Sequence, residues 1–250
     1  MSATTRSRTT RVALHLAPDP APVPTRAALL PPKRHWLRKW LREHWLSLLV
    51  AAAVVVAVGA VHAIGYDRFP ARTTDDEGTY VAQAWAVLEW RSLAHYTYWY
   101  DHPPFGWITM AGYMWVTDAL QRLPTAVTAG REVMLWAKVI SAAMMYLLAR
   151  RLGMHRLAAA GAVLLFGLSP LGIVFQRMVF LDNLAVMWTL AALALAASPK
   201  RSLAASTGSA ICFGLAVLTK ETTAVLLPAL FSSSGSTPVV RRGGTGSRCS

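Results

Sequence analysis

Apolar and polar residues alternate along the chain in long blocks. Five apolar runs stand out, at 45–66, 133–149, 157–176, 178–197 and 203–219. Each approaches or reaches the roughly 17–25 residues with which an α-helix crosses the hydrocarbon core of a bilayer. The pattern predicts an all-α membrane protein, a polytopic bundle of about five spanning helices with a large outer loop.

Two further helices are predicted beside the membrane. Residues 103–117 are apolar, but at ~1.5 Å per residue they reach only roughly 22 Å, which favours a re-entrant or interfacial helix. In 77–93, the residues Val81, Ala84 and Leu88 recur at helical spacing among polar positions. That spacing is typical of a juxtamembrane helix that lies on the surface.

The short basic loops predict the orientation. The loop 150–156 contains three arginines, and the next loop contains Lys200 and Arg201. Loops rich in lysine and arginine face the cytoplasm. The segment 66–132 and the turn near position 177 are therefore predicted on the outer side. In agreement with this, 66–132 has eight acidic and five basic residues.

Three regions are predicted along the chain. Residues 1–44 contain nine Lys/Arg and two acids around a Pro-rich centre, which predicts a disordered cytoplasmic tail that is not a cleaved signal. Residues 45–231 are predicted as the N-terminal half of a membrane domain whose outer loop is 66–132. The composition changes abruptly at 232–250, where we expect a disordered tail from a truncated or frame-shifted protein.

Composition excludes several classes of protein. The chain is 54% hydrophobic and 15% charged, with a mean hydropathy of +0.38, which excludes an ordinary soluble domain. Its basic residues lie mostly in tails and short loops, so membrane orientation explains the charge and no nucleic-acid partner is expected. The sequence has no nucleotide-binding loop and no metal motif of defined spacing. It predicts no certain cofactor and leaves a divalent cation open.

The consecutive acids Asp75, Asp76 and Glu77 are the first candidate site. Thr74 and Glu77 match a capping box, which accounts for one or two acids at a helix start. A third carboxylate at a water-poor membrane surface needs a cation, a polar substrate or a proton to remove. The triplet therefore predicts either a simple cap or a functional site.

The second candidate lies later in the same outer loop. Asp101 and His102 precede two prolines, and they form either a polar turn or a pair that holds a phosphate or tunes a proton transfer. The aromatic run 95–100 is interpreted as an interfacial belt or as a stacking platform for a sugar or a lipid head group.

Charged residues at the ends of the predicted spans form the third set. Asp182 lies about one turn inside a spanning helix, where an acid faces a cavity or a partner. A structural ion pair of Asp182 with Arg177 or with Lys138 is the plain alternative. Lys220 and Glu221 are interpreted as a snorkelling lysine with a neighbouring acid, or as a cation for a phosphate.

Five segments, in their order along the chain, resemble membrane glycosyltransferases of the C fold. Protein O-mannosyltransferases, lipid A aminoarabinose transferases and bacterial phospholipid-carrier-dependent glycosyltransferases are the most similar. The resemblance covers roughly 45–231. The segments are DDEGTYVAQAWAVLEW, YDHPPFGW, ARRLG, LSPLGIVFQRMVFLDNLAVMW and GLAVLTKETTAVLLPAL.

The resemblance implies an inverting transfer of a sugar from a polyprenyl phosphate to an acceptor hydroxyl. The acceptor is unspecified, and the reaction would take place at the outer face of the plasma membrane, within membrane lipid. The family's Asp-Glu pair falls on Asp76 and Glu77, with Asp76 as the general base. Full-length relatives have roughly twice as many spanning helices, so reduced or absent activity of this shorter chain is also expected.

The same resemblance implies a substrate-binding set. His102 would contact the donor phosphate, and Lys220 matches a lysine at a helix end. Cations there would stabilise the charge that builds on the leaving phosphate. The full implied set is Asp75, Asp101, His102, Arg177, Asp182 and Lys220.

Two other functions remain open. A transporter fragment would use Asp182 and Lys220 as ion or substrate ligands, but its polar groups should follow a path across the bilayer. A truncated, non-catalytic membrane protein would show no transfer and no loss on mutation of Asp76. The predicted polar groups gather on one side, which favours a transferase.

Single cysteines test the predicted topology. In a background in which Cys212 and Cys249 are replaced by serine, we expect Ser92→Cys and Ser202→Cys to react with an impermeant maleimide from opposite sides of the membrane. Labelling of intact and opened vesicles measures the side. Reaction from the same side would contradict the orientation.

Overall fold

The computed structural model describes residues 33–71, 73–93, 101–200 and 202–235, except for the side chains of 33–37 and 233–235. Every regular element in this part of the chain is helical. The predicted all-α class is therefore confirmed. Residues 1–32 of the predicted tail 1–44, residues 236–250 of the predicted tail 232–250 and the aromatic run 95–100 lie outside the described residues.

Ten α-helices and one 3₁₀ helix make up the described part of the chain. The order is α1 Lys33–Ala63, α2 Asp75–Glu89, α3 Phe105–Thr117, α4 Ala119–Arg122, α5 Ala126–Arg151, α6 Arg156–Leu168, α7 Pro170–Arg177, α8 Leu181–Ala196, α9 Leu203–Thr219, the 3₁₀ helix Glu221–Leu226, and α10 Leu227–Gly235.

The chain divides into two compact units, Met1–His44 and Trp45–Ser250. In the described part of the first unit, the Trp40 and His44 rings stack with their centroids 5.0 Å apart. The second unit contains all the candidate site residues.

Two described helices are long and apolar enough to cross a membrane, namely 38–63 of α1 and the whole of α5. The bent pair α6 and α7, with 61° between its axes, makes a third if it counts as one span. This agrees with a membrane protein. The helices α8 and α9 have 16 and 17 residues, so the expected total of five spans stays a prediction.

Helices also occur where the sequence predicts the two juxtamembrane segments. The helix α2 lies within 77–93 apart from its first two residues, and α3 lies within 103–117. One apolar core joins them to α5 and α8 through Tyr80, Val81, Trp107, Met110, Met134 and Leu184. This packing fixes α2, on which the acidic triplet lies.

The break between α6 and α7 was not predicted, because 157–176 reads as one continuous apolar run. Pro170 has no N–H, so the carbonyl of Phe166 loses its helical hydrogen bond. Lys138 Nζ donates to that carbonyl at 3.2 Å, and His62 Nε2 bonds the carbonyl of Gly167 at 2.9 Å. Polar side chains of neighbouring helices thus satisfy carbonyls that lipid could not.

A buried ion pair connects the elements around the site. Glu77 and Arg131 are 0% and 3% exposed, and their side chains form two hydrogen bonds, Nε to Oε1 at 2.9 Å and Nη2 to Oε2 at 3.0 Å. The backbone N–H groups of Val179 and Thr74 also donate to Glu77, at 3.0 and 3.4 Å. Arg131 Nη1 donates to the carbonyl of Pro70 at 3.0 Å. The pair therefore joins α2, α5 and the turn before α8.

Removal of one partner should destabilise the protein strongly. We expect Arg131→Met to lower the free energy of unfolding by about 3–5 kcal/mol, because it leaves Glu77 buried without its counter-ion. Tryptophan fluorescence during thermal unfolding in detergent measures the midpoint.

The matched control is Arg122→Met, which breaks the more exposed pair of Arg122 with Glu132. That variant should move the midpoint only slightly. Equal shifts in the two variants would show that the buried pair has no special role.

Candidate functional site

Two adjoining pockets contain most of the predicted site residues. The Asp76 pocket, of about 370 Å³, is lined by Asp76, Tyr80, Phe175, Phe180, Asp182, Asn183 and Lys220. The His102 pocket, of about 450 Å³, is lined by Leu93, Asp101, His102, Pro103, Pro104 and Glu221.

Two features link the pockets. The rings of Tyr80 and His102, one from each pocket, have their centroids 6.1 Å apart. Lys220 and Glu221 are consecutive, and each lines a different pocket. The backbone at Lys220 is extended, with φ −151° and ψ 115°, so that successive side chains point to opposite sides.

The helix α2 separates the three acids of the triplet. Asp76 and Tyr80 are four residues apart, which places them on one face of the helix, and both line the Asp76 pocket. Glu77 is turned by roughly 100° from Asp76 and enters the core. Asp75 is exposed and lines neither pocket. Of the triplet, only Asp76 lines either of these two pockets.

Asp182 forms an ion pair that the sequence did not predict. Lys220 Nζ donates to Asp182 Oδ2 at 2.5 Å, across the Asp76 pocket. The expected alternatives, Arg177 or Lys138 as the partner, are not formed, since Lys138 bonds the carbonyl of Phe166. The pair holds the start of α8 to the end of α9.

Arg177 lies away from both pockets. Its Nη2 donates to the carbonyl of Val61 at the end of α1, and its guanidinium lies over the ring of Phe69, 5.4 Å from the centroid. The structure therefore does not bring Arg177 to the residues with which the sequence grouped it. Its contacts anchor the end of α7, which carries the pocket residue Phe175.

His102 is held by a carboxylate that the sequence did not assign to the site. Its Nδ1 lies 3.2 Å and 3.4 Å from the two carboxylate oxygens of Glu221. Burial alone would raise the pKa of Glu221, but hydrogen bonds from its own backbone and from His102 outweigh it and lower that pKa. Glu221 is therefore ionised at neutral pH.

Tyr80 lies at the centre of the acidic surroundings. Burial raises its pKa, and the carboxylates of Asp76, Asp101, Asp182 and Glu221 raise it further. The phenol thus stays protonated and remains a neutral hydrogen-bond donor. Because four carboxylates act on one hydroxyl, the two pockets share one negative electrostatic environment.

The described side chains include no group of three His, Cys, Asp or Glu residues arranged as metal ligands. What the pockets offer is a carboxylate, Asp76, next to the ion pair of Asp182 with Lys220, and an imidazole, His102, next to a carboxylate. A carboxylate near a lysine ammonium and an imidazole suits a reaction that takes a proton from one reactant and stabilises negative charge on the other.

Two titratable pocket residues, Tyr80 and Glu221, were not assigned to the site from the sequence. Tyr80 follows Asp76 by four positions, so a helix places it beside Asp76. Glu221 was noted only as the neighbour of Lys220. Its contact with His102 spans 119 positions, which no local pattern reveals.

Comparison with known proteins gives one match. The sequence model of the dolichyl-phosphate-mannose-protein mannosyltransferase family matches residues 101–234 of the chain. This range includes His102, Asp182 and Lys220 but not α2 with Asp76. No curated protein and no solved structure matches the chain.

The lowered pKa of Glu221 predicts an acid-dependent loss of stability. The stabilisation is present above the ordinary value of 4.5 and is lost as the pH falls through the lower pKa of the folded state. Between about pH 5 and pH 3 we expect the unfolding midpoint of the wild type to fall further than that of Glu221→Gln. Glu89→Gln, at an exposed position of α2, is the control and should follow the wild type.

Proposed function

The chain belongs to the dolichyl-phosphate-mannose-protein mannosyltransferase family, a family of C-fold membrane glycosyltransferases, and on that premise we propose which reaction its pockets perform. A sugar is transferred from a polyprenyl-phosphate carrier to an acceptor hydroxyl, with inversion at the anomeric carbon. The observation that carries this proposal is the pairing of the two pockets, one with the carboxylate of Asp76 and one with the imidazole of His102.

The acceptor binds in the Asp76 pocket. Asp76 takes the proton of the acceptor hydroxyl while the oxygen forms a bond to the anomeric carbon of the sugar. The bond from that carbon to the phosphate oxygen breaks at the same time, and its electron pair leaves with the phosphate. Attack from the face opposite the phosphate inverts the configuration. General base catalysis of this kind contributes typically about 10²–10⁴-fold.

The donor phosphate lies towards the His102 pocket. A phosphodiester has one negative charge, and the polyprenyl phosphate that leaves gains a second. His102 and Lys220 stabilise that second charge where water is scarce. Asp182 holds Lys220 in place at 2.5 Å, and Asp101 borders the donor side. The neutral hydroxyl of Tyr80 lies between the two sides.

The remaining predicted residues support the site without substrate contact. Glu77 is fully buried against Arg131 and fixes α2, so that Asp76 faces the pocket. Arg177 anchors α7 through Val61. Asp75 has no direct part, because it lines neither pocket.

The protein is a membrane glycosyltransferase, and we place its reaction on the outer face of the plasma membrane. The basic loops at 150–156 and 200–201 support this orientation. In this arrangement 45–231 carries the reaction, its outer loop is 66–132, and 1–44 is cytoplasmic. The acidic pockets then face outward, and the lipid-linked donor reaches them from the bilayer.

Asp76→Asn tests the base. We expect the loss of about 10²-fold or more of the transfer rate, because asparagine cannot take the proton. The assay uses the full chain in lipid nanodiscs with a short-chain polyprenyl-phosphate mannose, and it measures the sugar transferred to a peptide rich in serine and threonine.

Asp75→Asn is the matched control, since it removes one charge from the same helical turn. It should keep most of the activity and the same membrane insertion. Full transfer by Asp76→Asn would exclude Asp76 as the base. No transfer by the wild type from any polyprenyl-phosphate sugar would favour the non-catalytic alternative, and transport of a solute across sealed vesicles would favour the transporter.

A further inference from the structure

Glu221 reaches the His102 pocket from a distant part of the chain. It is the first residue of the 3₁₀ helix Glu221–Leu226, and its two carboxylate oxygens lie 3.2 and 3.4 Å from Nδ1 of His102. The Glu221 side chain is 52% exposed, whereas that of His102 is only 18% exposed. The imidazole is therefore fixed from one side by a carboxylate that itself reaches solvent.

The chemistry of this contact assigns the hydrogen on the ring. The pKa of Glu221 is below its ordinary value, so at neutral pH the carboxylate has no hydrogen and can only accept. Nδ1 of His102 must then carry the hydrogen that lies between them. The other ring nitrogen, Nε2, points away from Glu221. It has no hydrogen in the neutral ring and becomes a donor to a different partner once the ring is protonated.

The other groups around His102 come from three elements. Tyr80 of α2 lies beside the ring, and Asp101 precedes His102 in the same loop. Lys220 lies next to Glu221 but turns to Asp182 in the adjoining pocket. Among these neighbours, Glu221 is the group that the structure records in hydrogen-bond contact with Nδ1.

We propose that Glu221 is a positioning residue for the transfer reaction. It accepts the Nδ1 hydrogen of His102, and when the ring takes up a second proton it presents the Nε2–H to the phosphate of the donor. This inference rests on the proposed function, in which His102 stabilises the leaving phosphate. His102 lies in a loop that precedes Pro103, outside any helix, so α3 alone does not fix its ring. A carboxylate on one ring nitrogen fixes both the tautomer and the direction of the other nitrogen.

The proposal predicts that Glu221 acts only through His102. Glu221→Ala should lower the transfer rate about tenfold in the wild-type background, within the range of coupling found between residues of one hydrogen-bond network. In the His102→Ala background the same substitution should have almost no further effect. Glu221→Asp should restore part of the rate, since it returns a carboxylate one carbon shorter.

The double-mutant cycle tests whether Glu221 acts through His102. If Glu221 acted independently of His102, its removal would cost the same in both backgrounds, and that result would overturn the proposal. Glu89→Ala is the control for the loss of a carboxylate elsewhere on the outer loop, and it should keep the wild-type rate.

A second measurement does not depend on activity. Nitrogen-15 NMR of the full chain in nanodiscs at about pH 8.5 reports which ring nitrogen of His102 carries the hydrogen, with His102→Asn identifying the signal. We expect the Nδ1–H form in the wild type and mainly the Nε2–H form in Glu221→Ala. The Nε2–H form in the wild type would overturn the proposal.

The transfer assay and the NMR measurement together distinguish a failure of the proposed function from a failure of the positioning role. Transfer that never occurs, together with the Nδ1–H form, would reject the proposed function and keep the contact between Glu221 and His102. Transfer with equal costs of Glu221→Ala in both backgrounds would keep the function and reject the positioning role.

Discussion

The buried pair of Glu77 and Arg131 is the constraint on which the rest of the site depends. An unpaired charge in that position would be strongly destabilising, so both side chains must stay where their hydrogen bonds are complete. The backbone N–H of Val179 donates a further hydrogen bond to the Glu77 carboxylate, and this bond attaches the turn before α8 to α2. Asp76 directly precedes Glu77 in the sequence, and Asp182 lies three residues after Val179. Both carboxylates of the Asp76 pocket therefore take their positions from an interaction that faces the core.

The sequence predicted the helical segments well, because apolar runs of membrane length have few other solutions. The predicted runs 178–197 and 203–219 contain α8 and α9 almost end to end. The prediction of one continuous helix over 157–176 was wrong, although Pro170 within this run indicated a break. What the sequence could not reveal is that Lys138 and His62, from two other helices, satisfy the freed carbonyls.

Prediction of the site was limited by the direction of side chains. The charges of Asp76, Asp182 and Lys220 suggested a common site, and the structure gathers these three residues around one pocket. Glu77 and Arg177 have the same kinds of charge but turn to the core and to α1. Consecutive helical residues differ by about 100°, so the orientation of a charge depends on packing that composition does not describe. Contacts across long separations, such as that of Glu221 with His102, are set by the same packing.

Lys220 and Glu221 are adjacent residues of one extended segment, and each adds a charge of opposite sign to a different pocket. Lys220 adds a positive charge to the Asp76 pocket, and Glu221 adds a negative charge to the His102 pocket. A deletion of one residue before Lys220 would move Glu221 into the position that faces Asp182, so that two carboxylates met in the Asp76 pocket. An insertion there would move Lys220 into the position that faces His102 and leave Asp182 without its counter-ion. A point substitution at Lys220 or Glu221 removes one contact, whereas either change of length removes both and places a wrong charge in one pocket. The junction between α9 and the 3₁₀ helix therefore tolerates changes of side chain far better than changes of length.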